Sequence, residues 1–328
     1  MQKIIRIDDL VIVTLSDGTT YQKSNITDKE FNIIANAKCE DDIIEIFCPQ
    51  VAEAKQKIKL IEELEDRVRK SNLLTWEDDT IYFPIVSKLS VPKELAESIL
   101  DAEEANDNIK IETYKNFWTL MCLNPDEECR KNLFAFLMRH DFKVAKCGFF
   151  VGYRNVDTTN TPDVYTDHHS HTFRIKIGEM VTMPREACDC SSANECSAGL
   201  HVSGTNWLSR NYYGNTGLVV LVNPADCVAV PERSDYGKLR TCAYLPIDIM
   251  HYNTEGKVIP YPKETGFECD LVPQVIYEGI MGTESSSTYK FDIPTIPGVT
   301  KDTITDRLLE IAKNVIIERN ILQDEQES

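Results

Sequence analysis

The chain has 328 residues, 42% of them hydrophobic and 27% charged, with a formal net charge of −18. Those proportions describe a globular protein large enough for two or three domains. The acidic balance argues against a protein that coats nucleic acid, which needs clustered Lys and Arg to displace counterions, and against charge-driven attachment to anionic lipid. No apolar run reaches the ~18–20 residues that cross a bilayer. The N-terminus passes from Lys3 to Asp8 and Asp9 without the apolar core of a secretory signal. A cytosolic location is expected, and with it reduced thiols for the eleven cysteines.

In chain order, Ile4–Ile7, Leu10–Leu15 and Thr19–Tyr21 read as strands, the last two joined at Ser16-Asp17-Gly18, because Asp-Gly accepts the positive φ of a tight hairpin. Thr27 with Glu30 three positions on is a capping box that opens a helix to about Ala37, and a second short helix covers Asp41 to Phe47. These make a small N-terminal ββα module, residues 1–50. Residues 51–105 hold an amphipathic helix, a hairpin and a linker helix. The helix stripe is Val51, Ala54, Ile58, Ile61, Leu64 and Val68, on an otherwise charged rod. It packs on its own domain or pairs with a second copy, and its length of under three heptads favours the first.

The hairpin is Leu73–Trp76 with Ile81–Phe83, and a boundary is expected near residue 105. A helical middle follows, with helices from about Ile111 to Leu123 and from Pro125, as first helical residue, to near His140. Strands resume from Phe142 to Tyr153, and a polar loop runs from Asp157 to Asp163. Leu218–Val222 and Val228–Val230 are continuous apolar runs joined by a turn at Asn223-Pro224-Ala225-Asp226. Lys238 and Arg240 alternate with Leu239, the pattern of a strand with one wet side. Gly282–Thr288 reads as a connector, and Ile304, Leu308, Ile311 and Val315 line a last helix before a charged tail. The fold class is therefore α+β: the small module, the helical middle and a mainly antiparallel β domain (106–285) closed by a helix (286–328).

From about Asn116 to Ile247 the chain resembles the RIIB-like proteins of tailed bacteriophages. The features that carry the resemblance are Asn124-Pro125, Phe136-Leu137-Met138-Arg139-His140, Gly152-Tyr153-Arg154 and Met183-Pro184-Arg185. After them come Cys196-Ser197-Ala198-Gly199-Leu200-His201-Val202, then Asn223-Pro224-Ala225-Asp226, then Lys238-Leu239-Arg240 with Cys242. The positions singled out are Arg185, Cys196, Gly199, His201, Asn223, Pro224, Asp226, Lys238 and Arg240. Cys188-Asp189-Cys190 departs from the pattern, which usually has Val-Asp and a polar linker there. The resemblance implies a non-enzymatic accessory protein in the host cytoplasm, peripheral to the inner membrane and touching it indirectly. It implies assembly with an RIIA-like protein partner, a role in lysis timing and protection from prophage exclusion. A homo-oligomer is compatible with it, direct nucleic-acid binding is not expected, and it transfers no catalytic residue and no cofactor.

Two chemical alternatives start from the residues themselves. Cys188, Cys190, Cys196 and His201 have the ligand types of a tetrahedral zinc, with His168, His169 and His171 upstream, though the spacing is not that of paired knuckles. Set against this, Cys196 reads as a small buried residue and His201 as a hydrogen-bonded core residue. Gly199 through Thr205 also has the form of a strand delivering His201 to an NAD-consuming site, with Glu232 or Asp235 as the acid; its plain reading is a Gly turn into a packed strand. A virion-associated structural role is the third alternative.

Overall fold

The structure, a computed structural model, describes residues 3–194, 196–205, 214–231, 237–254, 258–259 and 264–267. The expected connector at 282–288, the last helix and the candidate acids Glu232 and Asp235 lie outside these residues. The architecture is α+β with antiparallel sheets. Two compact units divide after Lys70, so the long charged helix belongs to the first, and residue 105 falls inside the second.

The first unit opens with β1 (Lys3–Ile7), β2 (Leu10–Thr14) and β3 (Thr20–Lys23), an antiparallel sheet in that order. These are the three strands read at Ile4–Ile7, Leu10–Leu15 and Thr19–Tyr21. Gly18 takes φ +88° at the expected hairpin, and Leu15 N donates to Thr19 O at 2.8 Å. Helix α1 (Asp28–Ala35) starts on the full capping box: Thr27 Oγ1 accepts from Glu30 N, while Thr27 N donates to the Glu30 carboxylate. Donation from Thr27 N, then from the Thr27 hydroxyl and Lys23, holds the Glu30 carboxyl down at about 2. Helix α2 (Glu40–Phe47) and the alternate residues Val11 and Val13 of β2 close the core with Ile34, Ile43 and Ile44. In helix α3 (Pro49–Lys70) only Leu64 and Val68 of the apolar stripe are buried; Val51, Ala54, Ile58 and Ile61 are exposed. Among the described residues the stripe is thus buried only at its C-terminal end.

The second unit begins with a meander of β4 (Thr75–Glu77), β5 (Thr80–Phe83) and β6 (Ser87–Ser90). Asp78 and Asp79 make its first turn, both at positive φ, as the short connection of a right-twisted hairpin requires. Helices α4 (Lys93–Glu104), α5 (Asn108–Met121) and α6 (Glu127–Arg139) follow. Pro125 is not the first residue of α6. It precedes the cap, which is Asp126, whose carboxylate accepts from Cys129 N at 2.7 Å.

The remaining strands are β7 (Lys143–Val144), β8 (Phe150–Thr158), β9 (Val164–Thr166), β10 (Arg174–Lys176), β11 (Val181–Thr182), β12 (Leu200–Ser203), β13 (Thr216–Val222), β14 (Cys227–Ala229), β15 (Lys238–Thr241) and β16 (Ala243–Ile249). They form one sheet along β11-β16-β13-β8-β12-β15-β14, with β7 and β9 also on β8 and β10 on β9. Its spine is β8 against β13, from Thr216 opposite Val156 to Val222 opposite Phe150. The loop expected from Asp157 to Asp163 is shorter than the sequence indicates, because β8 continues to Thr158 and turns directly into β9.

Aromatic contacts tie the helices to the sheet. Phe117 of α5 meets Phe134 of α6 at 5.4 Å, Phe136 meets Phe142 at 5.9 Å, and Phe142 meets Phe150 of β8 at 5.9 Å. Backbone meets backbone closely at Gly148, φ +90°, where a Cβ would lie 2.6 Å from Asn116 and Phe117 in α5. Asn116 Nδ2 donates there to Lys146 O at 2.8 Å. Leu120, one turn along α5, joins Phe149, Val151, Val219 and Leu245 in the core.

Candidate functional site

Strands β12 and β15 pair with His201 opposite Arg240 and Val202 opposite Leu239, so His201 and Arg240 share a face while Val202 and Leu239 turn inward. The wet face expected for β15 does not exist at Arg240, which is wholly buried. Loop 189–194 covers it. Arg240 Nε donates to Asp189 O at 2.9 Å, and its two terminal nitrogens donate to Asn194 O and Ser191 O. A planar fork of donors facing three carbonyls replaces the hydration lost on burying the charge.

The loop closes on itself around that fork. The Asp189 carboxylate accepts from Ser191 N at 2.9 Å and Asn194 Nδ2 at 2.8 Å, and Asp189 N donates to Ala198 O at 2.8 Å. Hydrogen bonds from Ser197, Ser191 and Asn194 hold the Asp189 carboxyl down at about 2. Gly199, φ +140°, lets the chain pass the Arg240 stem, where a Cβ would come within 3.2 Å of Cδ.

A second anchoring point fixes the turn between β13 and β14. Arg185, in a single 3-10 turn (Arg185–Ala187), donates to Ala225 O at 2.9 Å, Cys227 O at 2.8 Å and Asn124 Oδ1 at 2.9 Å. Asn124 is wholly buried, and its Nδ2 donates to Pro224 O at 2.9 Å and Cys227 O at 2.8 Å. Asn223 Oδ1 accepts from Ala225 N at 3.0 Å, and Asp226 O accepts from Cys242 N and the Thr241 hydroxyl. Nearby, Cys129 and Cys227 are buried with their sulfurs 4.0 Å apart; the bond that Cys129 donates to Cys227, and then burial, push the Cys129 thiol up.

The proposed zinc ligands stand apart in function. Cys196 is exposed rather than buried, and its Sγ accepts from Lys238 Nζ at 2.9 Å. The half-buried Cys188 donates to Pro184 O at 3.5 Å, and Cys190 is exposed. His201 is half-buried, and its Nε2 has no hydrogen-bond partner among the described residues, in place of the hydrogen-bonded core residue expected. Burial first, and then Lys238, Arg154, Arg240 and His169, bring the His201 pKa down to about 3. Arg154 Nη1 donates to His201 O at 2.7 Å. Among the described residues no group of three or more His, Cys, Asp or Glu converges as a metal site.

His168, His169 and His171 lie on a loop organised by Asp167. Burial opposes ionisation of Asp167, yet donors from Phe173, Ser170 and Thr172 outweigh it and hold the carboxyl at about 2. His168 Nδ1 sits 2.9 Å from Asp157 Oδ2.

Of the nine motif positions, Arg185, Asn223 and Arg240 spend their side chains on backbone groups, while Cys196 and Lys238 bond to each other. Asn124 is the member whose weight the sequence reading missed, although a lone Asn after the apolar Leu120–Leu123 run was a usable signal. The family model of bacteriophage T4 protein rIIB matches residues 2–249. The chain belongs to this family. Protein rIIB of Enterobacteria phage T4 is 29% identical over 230 residues, 70% of this chain and 67% of that protein. No solved structure matches. The rIIB match reaches well beyond the motif region, taking in the whole first unit, for which the sequence offered no comparable motif.

Proposed function

We propose that this rIIB-family chain acts without catalysis of its own, by assembly with an RIIA-like protein partner, in timing host lysis and in protection from prophage exclusion. The observation that carries the reading is the employment of Arg185 and Arg240. Their donors are directed at backbone carbonyls and the Asn124 amide, so the cations available to an active site are instead holding loops in place. His201, with a pKa near 3, is a poor proton acceptor at neutral pH. Among the described residues no helix is long and apolar enough to cross a membrane, which is compatible with a peripheral place at the inner membrane reached through the partner.

The test is complementation of a phage lacking this gene. The tagged chain should restore delayed lysis and co-purify with an RIIA-like protein from infected cells. The Cys196→Ser and His201→Gln variants should do the same. Capture of no such partner, or a folded His201→Gln protein that fails to restore the delay, would overturn the assembly reading and return the site to chemistry.

A further inference from the structure

Helix α3 carries an apolar stripe that stands exposed among the described residues. Val51 is 42%, Ile58 56% and Ile61 50% exposed, and Ala54 between them is exposed as well. Their spacing of three, four and three residues puts them on one face. Scattered apolar residues on a surface are ordinary; a contiguous stripe marks a contact.

The charges around the stripe say what fits it. Lys55, Lys57 and Lys59 outnumber Glu53 before its midpoint, and Glu62, Glu63, Glu65 and Asp66 make the stretch just after it acidic, ahead of Arg67, Arg69 and Lys70. A helix laid alongside in the opposite direction, with the same sequence, sets basic against acidic at both ends. A parallel copy would set Glu65 against Glu65 in the stripe and keep attraction only where Lys57 of one copy faces Glu62 of the other. We propose that α3 pairs antiparallel with α3 of a second copy of this chain, Ile58 of each packing on Ile61 of the other.

In that register the two-fold axis falls between residues 59 and 60, and Ala54 meets the stem of Glu65. Lys55 of each copy flanks Glu62 of the other, since both lie on the same edge of the stripe. The neighbouring ion pairs of the described residues leave room for this. Lys55 bridges Asp41 at 3.3 Å across an exposed surface, a contact weak enough to exchange, and Glu65 already turns aside to Arg69. Leu64 and Val68 are buried within the chain, which limits the pairing to the helix before them and makes it short, reversible and dependent on concentration. The inference is independent of the RIIA-like partner, because self-association is read on the purified chain alone.

Sedimentation equilibrium of the full chain over a wide concentration range tests it. The wild type should be a reversible dimer, and Ile58→Asp and Ile61→Asp, at exposed positions where folding survives, should be monomers with unchanged circular dichroism. Lys55→Glu or Glu62→Lys alone should weaken the dimer by about tenfold, and the double exchange should restore it. A wild type monomeric throughout would overturn the proposal and leave the stripe to another occupant, such as the RIIA-like partner or the apolar face at 304–315. A dimer unmoved by the Asp variants would place the interface elsewhere. A double exchange that is weaker still would mean parallel pairing, in which the new positive charge brought by Glu62→Lys faces Lys57 of the other copy.

Discussion

Arg6 and Arg240 carry the same guanidinium into opposite circumstances. Arg6 reaches Asp28 at 2.8 Å and Asp8 O at 3.0 Å at the surface of the first unit, over the Phe31 ring. Arg240 is sealed inside the second unit, and every donor it cannot place on loop 189–194 would be stranded. The contrast extends to the regions around them. Polar side chains of the first unit mostly act at its surface, as in the Thr27–Glu30 box, and its interior is apolar. In the second unit, Asn124 binds Cys227 O across 103 positions, and Arg185 binds Ala225 O across 40. Irregular segments there have no ladder of their own to satisfy their carbonyls, so buried side chains do it. Removing a surface pair should cost little, while removing one side of a buried set leaves the other side unpaired.

The sharpest way to break the comparison is Arg240→Met, which keeps the stem and deletes the fork. It should lower stability by about 3–5 kcal/mol in urea denaturation, with loop 189–194 opening to proteolysis. A loss below that of an exposed pair would mean the loop holds its own shape. Asn124→Ala should follow at about 2–3 kcal/mol, since Pro224 O loses its donor and Arg185 an acceptor. Gly199→Ala should cost about 1–3 kcal/mol from its positive φ and the crowded Arg240 stem, read as a lowered thermal midpoint.

A pH series sharpens the same contrast. His201 titrates near 3 in the fold and near ~6.5 when unfolded, so the unfolded chain binds the extra proton between them. Stability from this group is complete above pH ~6.5 and falls as the pH drops toward 3, by up to about 1.4 kcal/mol per unit. His201→Gln should flatten that slope between pH ~6.5 and ~5.5, above the range in which Glu30, Asp167 and Asp189 begin to protonate in the unfolded chain. Least of all, Arg6→Met should cost under about 1 kcal/mol, and that little should shrink in high salt.

The legibility of the chain divides along the same line. Asp17-Gly18 and Thr27 with Glu30 declared a hairpin and a helix start because cause and effect lie within a few residues. The α3 stripe was legible as a stripe, but the side it leaves exposed was not, since periodicity marks a face without saying what covers it. Alternation of Lys238, Leu239 and Arg240 correctly made a strand and wrongly gave it a wet face. What covers Arg240 comes from some fifty positions earlier, in a loop with no regular pattern to announce it. Pro125 misled for a smaller reason: Asp126 beside it is the better cap, and a carboxylate bonded to Cys129 N outbids a residue whose only credential is a fixed φ.

The turn at Gly148 has a consequence for how such a chain can change over generations. Helix α5 rests on that turn at a separation only a hydrogen atom permits, and the same helix carries Leu120 into the cluster with Phe149 and Val151. A side chain at 148 would lift the helix and open a gap at Leu120 in one stroke. Replacements there should survive only alongside a compensating enlargement near 120, so in a set of related sequences the two places should vary together or not at all.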